Sequence, residues 1–269
     1  MTAAEFVSKS PAPLLGPEDP PPFRVLAGEP NSVFLLTCDH GGRILPRSLG
    51  DLGLPEFELQ RHIAWDIGAA ALAERLAQRL GAFLITQTYS RLVIDCNRPL
   101  DAQSSIAQLS EATAIPGNVG LSEVEAEQRA AAIFRPYHAR IEQELERRQR
   151  ASQPSVYVAV HSFTPRYLDV DRAVQVGVLY GKDARFARFV LNWLRSEERW
   201  VVGDNEPYFV SEQTDYGVIQ HAERRALPYV ELEVRQDLVA SAAGQAEWAE
   251  VFARALVGAE QDLRRSLQG

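Results

Sequence analysis

Two short apolar runs flank an amphipathic helical pattern near the start of the chain, and this arrangement constrains the fold most. Residues 32–38 and 82–89 are rich in strand-forming residues, and residues 66–80 between them carry apolar side chains at three- and four-residue spacing. A strand, a helix and a second strand in this order predict two parallel strands joined by a crossover. We therefore expect an α/β layered fold.

The same alternation continues along the rest of the chain. The sequence predicts further strands over residues 156–161, 174–179 and 228–234, and helices from Ser122 to about residue 150, over residues 183–194 and over residues 245–256. Within the first of these helices, Pro136 predicts a kink or break. Neither a repeat nor a Gly/Ser linker separates domains, so a single α/β architecture is favoured.

The N-terminal segment has a different composition. Seven prolines lie between residues 11 and 30. Because proline lacks a backbone N–H and fixes φ, neither a helix nor a central strand is expected there. We predict an irregular surface arm over residues 1–30, followed by one α/β domain over residues 31–269.

Charge and cysteine content restrict the partners and the compartment. With 28 Lys and Arg against 36 Asp and Glu, the net charge is −8, whereas binders of nucleic acid or anionic membranes need a basic face. No run approaches the roughly 18 apolar residues of a membrane span. The two cysteines, Cys38 and Cys96, cannot form a disulfide framework. We expect a cytoplasmic protein with a small-molecule partner, and neither nucleic acid nor membrane as a partner.

Two of the five histidines share one context. His40 and His161 each follow an apolar strand, and the carboxyl ends of strands form the ligand-binding edge of open α/β sheets. Two imidazoles at one edge could share a divalent metal, with Asp66, at the start of the predicted helix, as a third ligand. Alternatively, both histidines only form hydrogen bonds at the strand ends. His62, His138 and His221 lack this context, and we interpret them as structural or substrate-contacting residues.

Two glutamates lie within the predicted strand over residues 228–234. Period-two alternation places Glu231 and Glu233 on one face and Val230, Leu232 and Val234 on the other. A carboxylate in a buried strand must be paired, solvated or functional. One glutamate could act as a general base beside a metal, or both could form ion pairs with arginines.

Arg91, Asn97 and Arg98 concentrate cationic and amide donors in one short segment. The planar guanidinium of arginine binds carboxylates through two parallel hydrogen bonds. Beside a metal, these residues would form a pocket for an acidic substrate. Without one, they would form ordinary surface salt bridges.

Taken in chain order, these motifs resemble the N-formylglutamate amidohydrolase family. The most specific string is Ser90-Arg91-Leu-Val-Ile-Asp95-Cys-Asn97-Arg98-Pro99, joined by Arg135-Pro-Tyr-His138, and the resemblance spans roughly residues 32–239. The family is similar to zinc-dependent exopeptidases and, more distantly, to zinc carboxypeptidases. The resemblance implies a three-layer α/β/α fold around a mixed, mostly parallel sheet.

The resemblance also implies roles for individual residues. His40, Asp66 and His161 would bind Zn²⁺ or another divalent metal, Glu233 would be the general base with Glu231 as its competitor, and Arg91, Asn97 and Arg98 would bind a substrate carboxylate. The string Asp39-His40-Gly41-Gly42 replaces the Pro-His-Ala-Gly of the histidine-degrading members, which indicates a divergent branch.

The expected activity is hydrolysis of the N-acyl amide of an acidic amino acid such as N-formylglutamate. Two alternatives remain at this point. One is a non-catalytic protein that binds or senses a metabolite on the same fold. The other is a hydrolase of small peptides similar to metallo-carboxypeptidases.

Overall fold

Eleven strands occur in the computed structural model, which describes residues 13–268. In chain order they are β1 (Phe23–Leu26), β2 (Phe34–Cys38), β3 (Phe83–Gln87), β4 (Leu109–Ser110), β5 (Thr113–Ala114), β6 (Val156–Phe163), β7 (Arg166–Tyr167), β8 (Val170–Asp171), β9 (Val176–Leu179), β10 (Val202–Asp204) and β11 (Tyr229–Arg235). Seven of them form one sheet in the order β1-β3-β2-β6-β11-β9-β10, while β4–β5 and β7–β8 are separate two-stranded hairpins.

The seven-stranded sheet is mixed and mostly parallel. Four neighbouring pairs, β3–β2, β2–β6, β6–β11 and β9–β10, run parallel. The pairs β1–β3 and β9–β11 are antiparallel. The predicted crossover from β2 through a helix to β3 is confirmed, and so is the predicted sheet type.

Helices and loops cover both faces of the sheet. The helices are α1 (Glu56–Leu59), α2 (Ala69–Leu80), α3 (Glu123–Arg129), α4 (Arg135–Arg150), α5 (Arg185–Ser196), α6 (Gln236–Val239) and α7 (Ala242–Ser266). Buried side chains of α2, α5 and α7 pack on one face of the sheet, and those of α4 with its preceding turn pack on the other. The predicted three-layer α/β/α architecture is therefore confirmed. Within residues 13–268, no helix combines the length and apolar character needed to cross a membrane.

Helix α2 begins three residues later than the pattern predicts. Gly68 precedes it with φ of 83°, a left-handed conformation that glycine adopts without steric cost. A Cβ atom at this position would lie 2.2 Å from the carbonyl oxygen of Val239. The close approach of α6 to this turn therefore excludes residues 66–68 from the helix.

The helix beginning at Ser122 is interrupted by one wide turn. The predicted capping box is present, since the backbone N–H of Glu125 donates to the Ser122 side chain and the Glu125 side chain accepts from the Ser122 N–H. A π-helical turn over Ala130–Phe134 then separates α3 from α4, which has Pro136 in its first turn. A wide turn accommodates the missing N–H of proline without ending the helix.

The N-terminal arm contains one regular element. Strand β1 lies at the edge of the sheet, so the prediction that the arm is irregular throughout is wrong. The consecutive prolines 20–22 end just before the strand, and an edge position tolerates such neighbours. Residues 1–12 of the predicted arm lie outside the described residues, and the single domain over residues 31–269 stays a prediction.

Candidate active site

The carboxyl ends of the central parallel strands bring the predicted metal ligands together. His40 follows β2 by two residues, and His161 lies in β6 opposite Glu233 of β11. The backbone N–H of Asp66 donates to the carbonyl oxygen of His40 at 2.9 Å, which fixes the turn before α2 against the same edge. Three distant segments of the chain therefore meet at one point.

His40, Asp66 and His161 form a compact buried group. One donor atom from each residue lies within 4.8 Å of the other two. Nδ1 of His161 is 2.9 Å from Oδ2 of Asp66, and Nδ1 of His40 is 3.6 Å from the same oxygen. Two imidazole nitrogens and one carboxylate oxygen, with space left for a further ligand, match catalytic zinc sites. This donor set fits a divalent metal, and the role of the three residues as its ligands stays a prediction.

A second carboxylate lies behind each histidine. Nε2 of His40 is 2.6 Å from Oδ1 of Asp95, and Nε2 of His161 is 3.5 Å from Oδ2 of Asp39. The Tyr137 hydroxyl donates to the other oxygen of Asp39 at 2.6 Å. Such carboxylates orient metal-binding imidazoles and leave Nδ1 free for the metal. The sequence analysis assigned no role to Asp39, Asp95 or Tyr137, although each lies within a quoted motif.

Charge around the group favours a cation. Burial raises the pKa of Asp66, but His40 and His161 outweigh it and lower that pKa below its usual range. Burial likewise raises the pKa of Asp95, and the charges of Arg91 and His40 instead hold it well below that range. Both carboxyl groups are therefore ionised at neutral pH. A divalent cation between the imidazoles would offset this negative charge.

Glu231 and Glu233 face the same cavity, as the alternation predicts. Val230, Leu232 and Val234 of the same strand pack into the helical layer on the opposite face. Atom Oε2 of each glutamate is buried without a hydrogen-bond partner among residues 13–268. Burial raises the pKa of Glu233 to about 8 and that of Glu231 well above its usual value. Each can therefore carry a proton near neutral pH, and the choice of Glu233 as base stays a prediction.

Arg91 is held by two carboxylates. Its Nε and Nη2 donate to Oδ2 of Asp95 at 3.2 and 2.8 Å, and its Nη1 lies 3.4 Å from Oδ1 of Asp66. These contacts join Arg91 to the residues behind and within the candidate metal group. The predicted binding of a substrate carboxylate by Arg91 would compete with both ion pairs.

Asn97 and Arg98 contact the segment over residues 214–217. The Asn97 side-chain oxygen accepts from the backbone N–H of Gly217 at 2.9 Å, and Arg98 donates to the carbonyl oxygens of Asn97 and Thr214. Arg98 forms no ion pair with a carboxylate in the described part of the chain. Of the two predicted arginines, Arg98 therefore has the freer charge for a substrate anion.

All the predicted site residues line one cavity of about 490 Å³. They are His40, Asp66, Arg91, Asn97, Arg98, His161, Glu231 and Glu233. Its volume falls within the range of small-molecule sites, roughly 300–1,000 Å³.

The other three histidines do not join the metal group. His62 lines the cavity, 3.5 Å from a carboxylate oxygen of Glu111. His138 and His221 are buried together, with Nδ1 of His138 at 2.8 Å from Nε2 of His221. Burial lowers the pKa of His138 to about 4, so this pair is neutral. Its contacts to the carbonyl of Cys96 and to His221 indicate a structural role for His138.

Comparison with known proteins agrees with the resemblance. The family model described as N-formylglutamate amidohydrolase matches residues 32–240. The structure of the gene product Atu2144 from Agrobacterium tumefaciens is 33% identical over 93% of this chain and 99% of that chain, with a TM-score of 0.91. The N-formylglutamate amidohydrolase from Ralstonia eutropha JMP134 is 20% identical over 91% of this chain and 99% of that chain, with a TM-score of 0.64, and shares the fold. No curated protein matches this chain. Because the family model covers most of the sequence, this chain belongs to the N-formylglutamate amidohydrolase family.

Proposed function

We propose that the chain is a metal-dependent amidohydrolase that cleaves the linear amide of an N-acylated acidic amino acid, such as N-formylglutamate. The observation that carries the proposal is the buried group of His40, Asp66 and His161, which lines a ligand-sized cavity. Zinc, or another divalent metal, would there polarise the amide carbonyl and lower the pKa of an attacking water. Membership of the family supports a small-molecule amide as substrate.

The residues around this group have distinct tasks in the proposed reaction. Water adds to the acyl carbon and the carbon–nitrogen bond breaks, which yields a carboxylate and a free amino acid. Glu233 accepts the proton of the water and delivers it to the leaving nitrogen. Arg98, with Asn97, orients the carboxylate of the amino acid, while Arg91 holds Asp95. Glu231 is the alternative base, because it faces the same cavity.

We also propose a cytoplasmic location. Cys38 and Cys96 are both buried and unpaired with each other, and unpaired thiols persist in a reducing compartment. Separation of cytoplasmic and extracytoplasmic fractions of the producing cell, with immunodetection of the chain, tests this proposal, and recovery outside the cytoplasm would contradict it.

The amidohydrolase proposal is tested by metal analysis joined to an activity screen. The purified chain is expected to contain close to one divalent metal per molecule. It should hydrolyse N-formyl, N-acetyl or N-succinyl amino acids in the presence of zinc, cobalt or manganese, and a chelator should abolish this activity. Bound metal without turnover would instead favour a binding or sensing protein. Cleavage of dipeptides alone would favour a carboxypeptidase-like hydrolase.

A further inference from the structure

The cavity opens to solvent between apolar side chains from the two hairpins β4–β5 and β7–β8 and from one loop. Leu109 is 63% exposed and Phe209 is 68% exposed, and Tyr167 and Tyr208 are more than one-third exposed. All four line the same cavity as the metal group, and we call them the apolar mouth. Single exposed apolar residues are normal on a protein surface, but several converging on one cavity entrance indicate a binding surface.

The two tyrosines of the apolar mouth are held in place by polar contacts. The Arg172 guanidinium lies 4.9 Å from the ring centre of Tyr167 and 4.8 Å from that of Tyr208, and it donates to the Tyr208 hydroxyl at 2.7 Å. The backbone N–H of Leu168 donates to a carboxylate oxygen of Glu111 at 3.3 Å, which links the hairpins β4–β5 and β7–β8. Arg172 forms no ion pair within residues 13–268, so its charge is directed to the aromatic rings. A preformed apolar surface reduces the entropy lost on binding.

The cavity is lined both by the polar donors Asn97 and Arg98 and by the apolar mouth. Asn97 and Arg98 contact residues 214–217, whereas both tyrosines of the mouth contact Arg172. An amide carries its acyl group and its amino acid on opposite sides of the scissile bond. If Arg98 binds the carboxylate of the amino acid, the acyl group lies on the other side of the scissile bond, where an apolar chain would reach the mouth that lines the same cavity. A formyl group, the smallest acyl group, would leave the mouth without a contact.

We propose that the apolar mouth is a subsite for an apolar acyl chain, so that the preferred substrates are N-acyl acidic amino acids with a medium-length aliphatic or aromatic acyl group rather than a formyl group. This inference rests on the proposed amidohydrolase function. The reaction is unchanged. Water supplies the oxygen of the released carboxylate, and the leaving nitrogen takes up a proton through Glu233.

The first test compares N-formyl-, N-acetyl-, N-butyryl-, N-hexanoyl- and N-benzoylglutamate. With the metal-loaded chain, kcat/KM for the hexanoyl and benzoyl compounds is expected to exceed that for the formyl compound by at least about tenfold, since one methylene in an apolar site changes kcat/KM by roughly 10–200-fold. Calorimetric titration of the metal-free chain with the same compounds, where turnover does not interfere, should give the same order of affinities.

The second test removes apolar surface from the mouth. Phe209→Ser and Leu109→Ser change exposed side chains, so we expect both variants to fold. Each should lower kcat/KM for the hexanoyl compound by about tenfold and change the formyl value less than about twofold. The matched control is Phe57→Ser, because Phe57 is 65% exposed in α1 and does not line the cavity. This control should leave all values unchanged.

The results separate this inference from the proposed function. If N-formylglutamate is the best substrate and binds as tightly as the hexanoyl compound, the inference is wrong and the amidohydrolase remains. If Phe209→Ser lowered kcat/KM by the same factor for all acyl groups, that result would also contradict the inference. If no compound is hydrolysed but the longer acyl chains still bind more tightly, the subsite stands and the amidohydrolase proposal is wrong.

Discussion

Nε2 of His40 lies 2.6 Å from Oδ1 of Asp95, whose other carboxylate oxygen accepts two hydrogen bonds from Arg91. This series of contacts turns Nδ1 of His40 toward Asp66, whose Oδ2 lies 3.6 Å away. Carboxylates in this position fix the tautomer and orientation of metal-binding imidazoles. We therefore expect Asp95→Asn to weaken divalent-metal binding by roughly 10–100-fold. Competition with a chelator of known affinity, at one fixed pH, measures this change.

Asp101→Asn is the matched control for the Asp95 variant. Asp101 lies six residues further along the chain and is exposed to solvent. Its variant should bind metal as tightly as the unchanged chain. Equal metal affinity in the Asp95 and Asp101 variants would show that Asp95 does not orient His40.

The two arginines of the cavity are expected to differ in their effects. Arg98 forms no ion pair with a carboxylate among the described residues, whereas Arg91 is paired with Asp95 and Asp66. Arg98→Met should raise KM for an N-acylglutamate by roughly 10–100-fold, the range for one hydrogen bond between charged groups, with kcat little changed. Arg91→Met should mainly weaken metal binding. Steady-state kinetics at saturating metal, with a parallel metal titration, separate the two effects.

An opposite result for Arg91 would return it to the substrate-binding role that the family resemblance implies. In that case Arg91→Met would raise KM while metal affinity stayed unchanged.

Arg98→Lys is a further check on the role of Arg98. A single ammonium replaces the planar guanidinium, so this variant should restore only part of the substrate affinity that Arg98→Met loses.

The sequence predicted where the candidate site residues lie in the fold better than it predicted the contacts between their side chains. His40, His161 and Glu233 lie at or near strand ends, and buried strands are recognisable from local apolar patterns. Parallel pairing then brings those ends to one edge of the sheet without further information. The layer architecture follows from the same patterns.

Contacts between side chains depend on how the loops fold back, and local patterns do not carry this information. The partner of Asp39 is Tyr137, which is 98 residues away in α4. Arg91 approaches Asp95 because the chain turns tightly over residues 90–95. For this reason an arginine predicted to bind substrate lies against two carboxylates.

The two buried glutamates should differ in their catalytic effects. Glu233 faces His161 in the strand register, whereas Glu231 lies two residues earlier on the same face of β11. Glu233→Gln should retain the metal and lower kcat by about 10²–10⁴-fold, as expected for the loss of a general base. Glu231→Gln should lower kcat by less than about tenfold. Elemental analysis of each variant, together with kcat at saturating substrate, checks both values, and the reverse order would assign the base to Glu231.

The stability of the metal-free chain should depend on pH through Glu233. Burial raises the pKa of this carboxyl from 4.5 to about 8, so the folded state favours the protonated form. This preference stabilises the folded state. The stabilisation is fully present below the pKa that Glu233 has in the unfolded chain, and it is lost as pH rises through about 8. Glutamine resembles the protonated carboxyl, so metal-free Glu233→Gln should match the unchanged chain near pH 4.5 and be more stable at pH 9. At pH 9 the free energies of unfolding should differ by at most roughly 5 kcal/mol, at ~1.4 kcal/mol per pKa unit.

Thermal melting followed by circular dichroism between pH 4.5 and pH 9, with the exposed Glu123→Gln as control, measures this difference in stability. A constant gap between the melting temperatures at pH 4.5 and pH 9 would contradict the assignment.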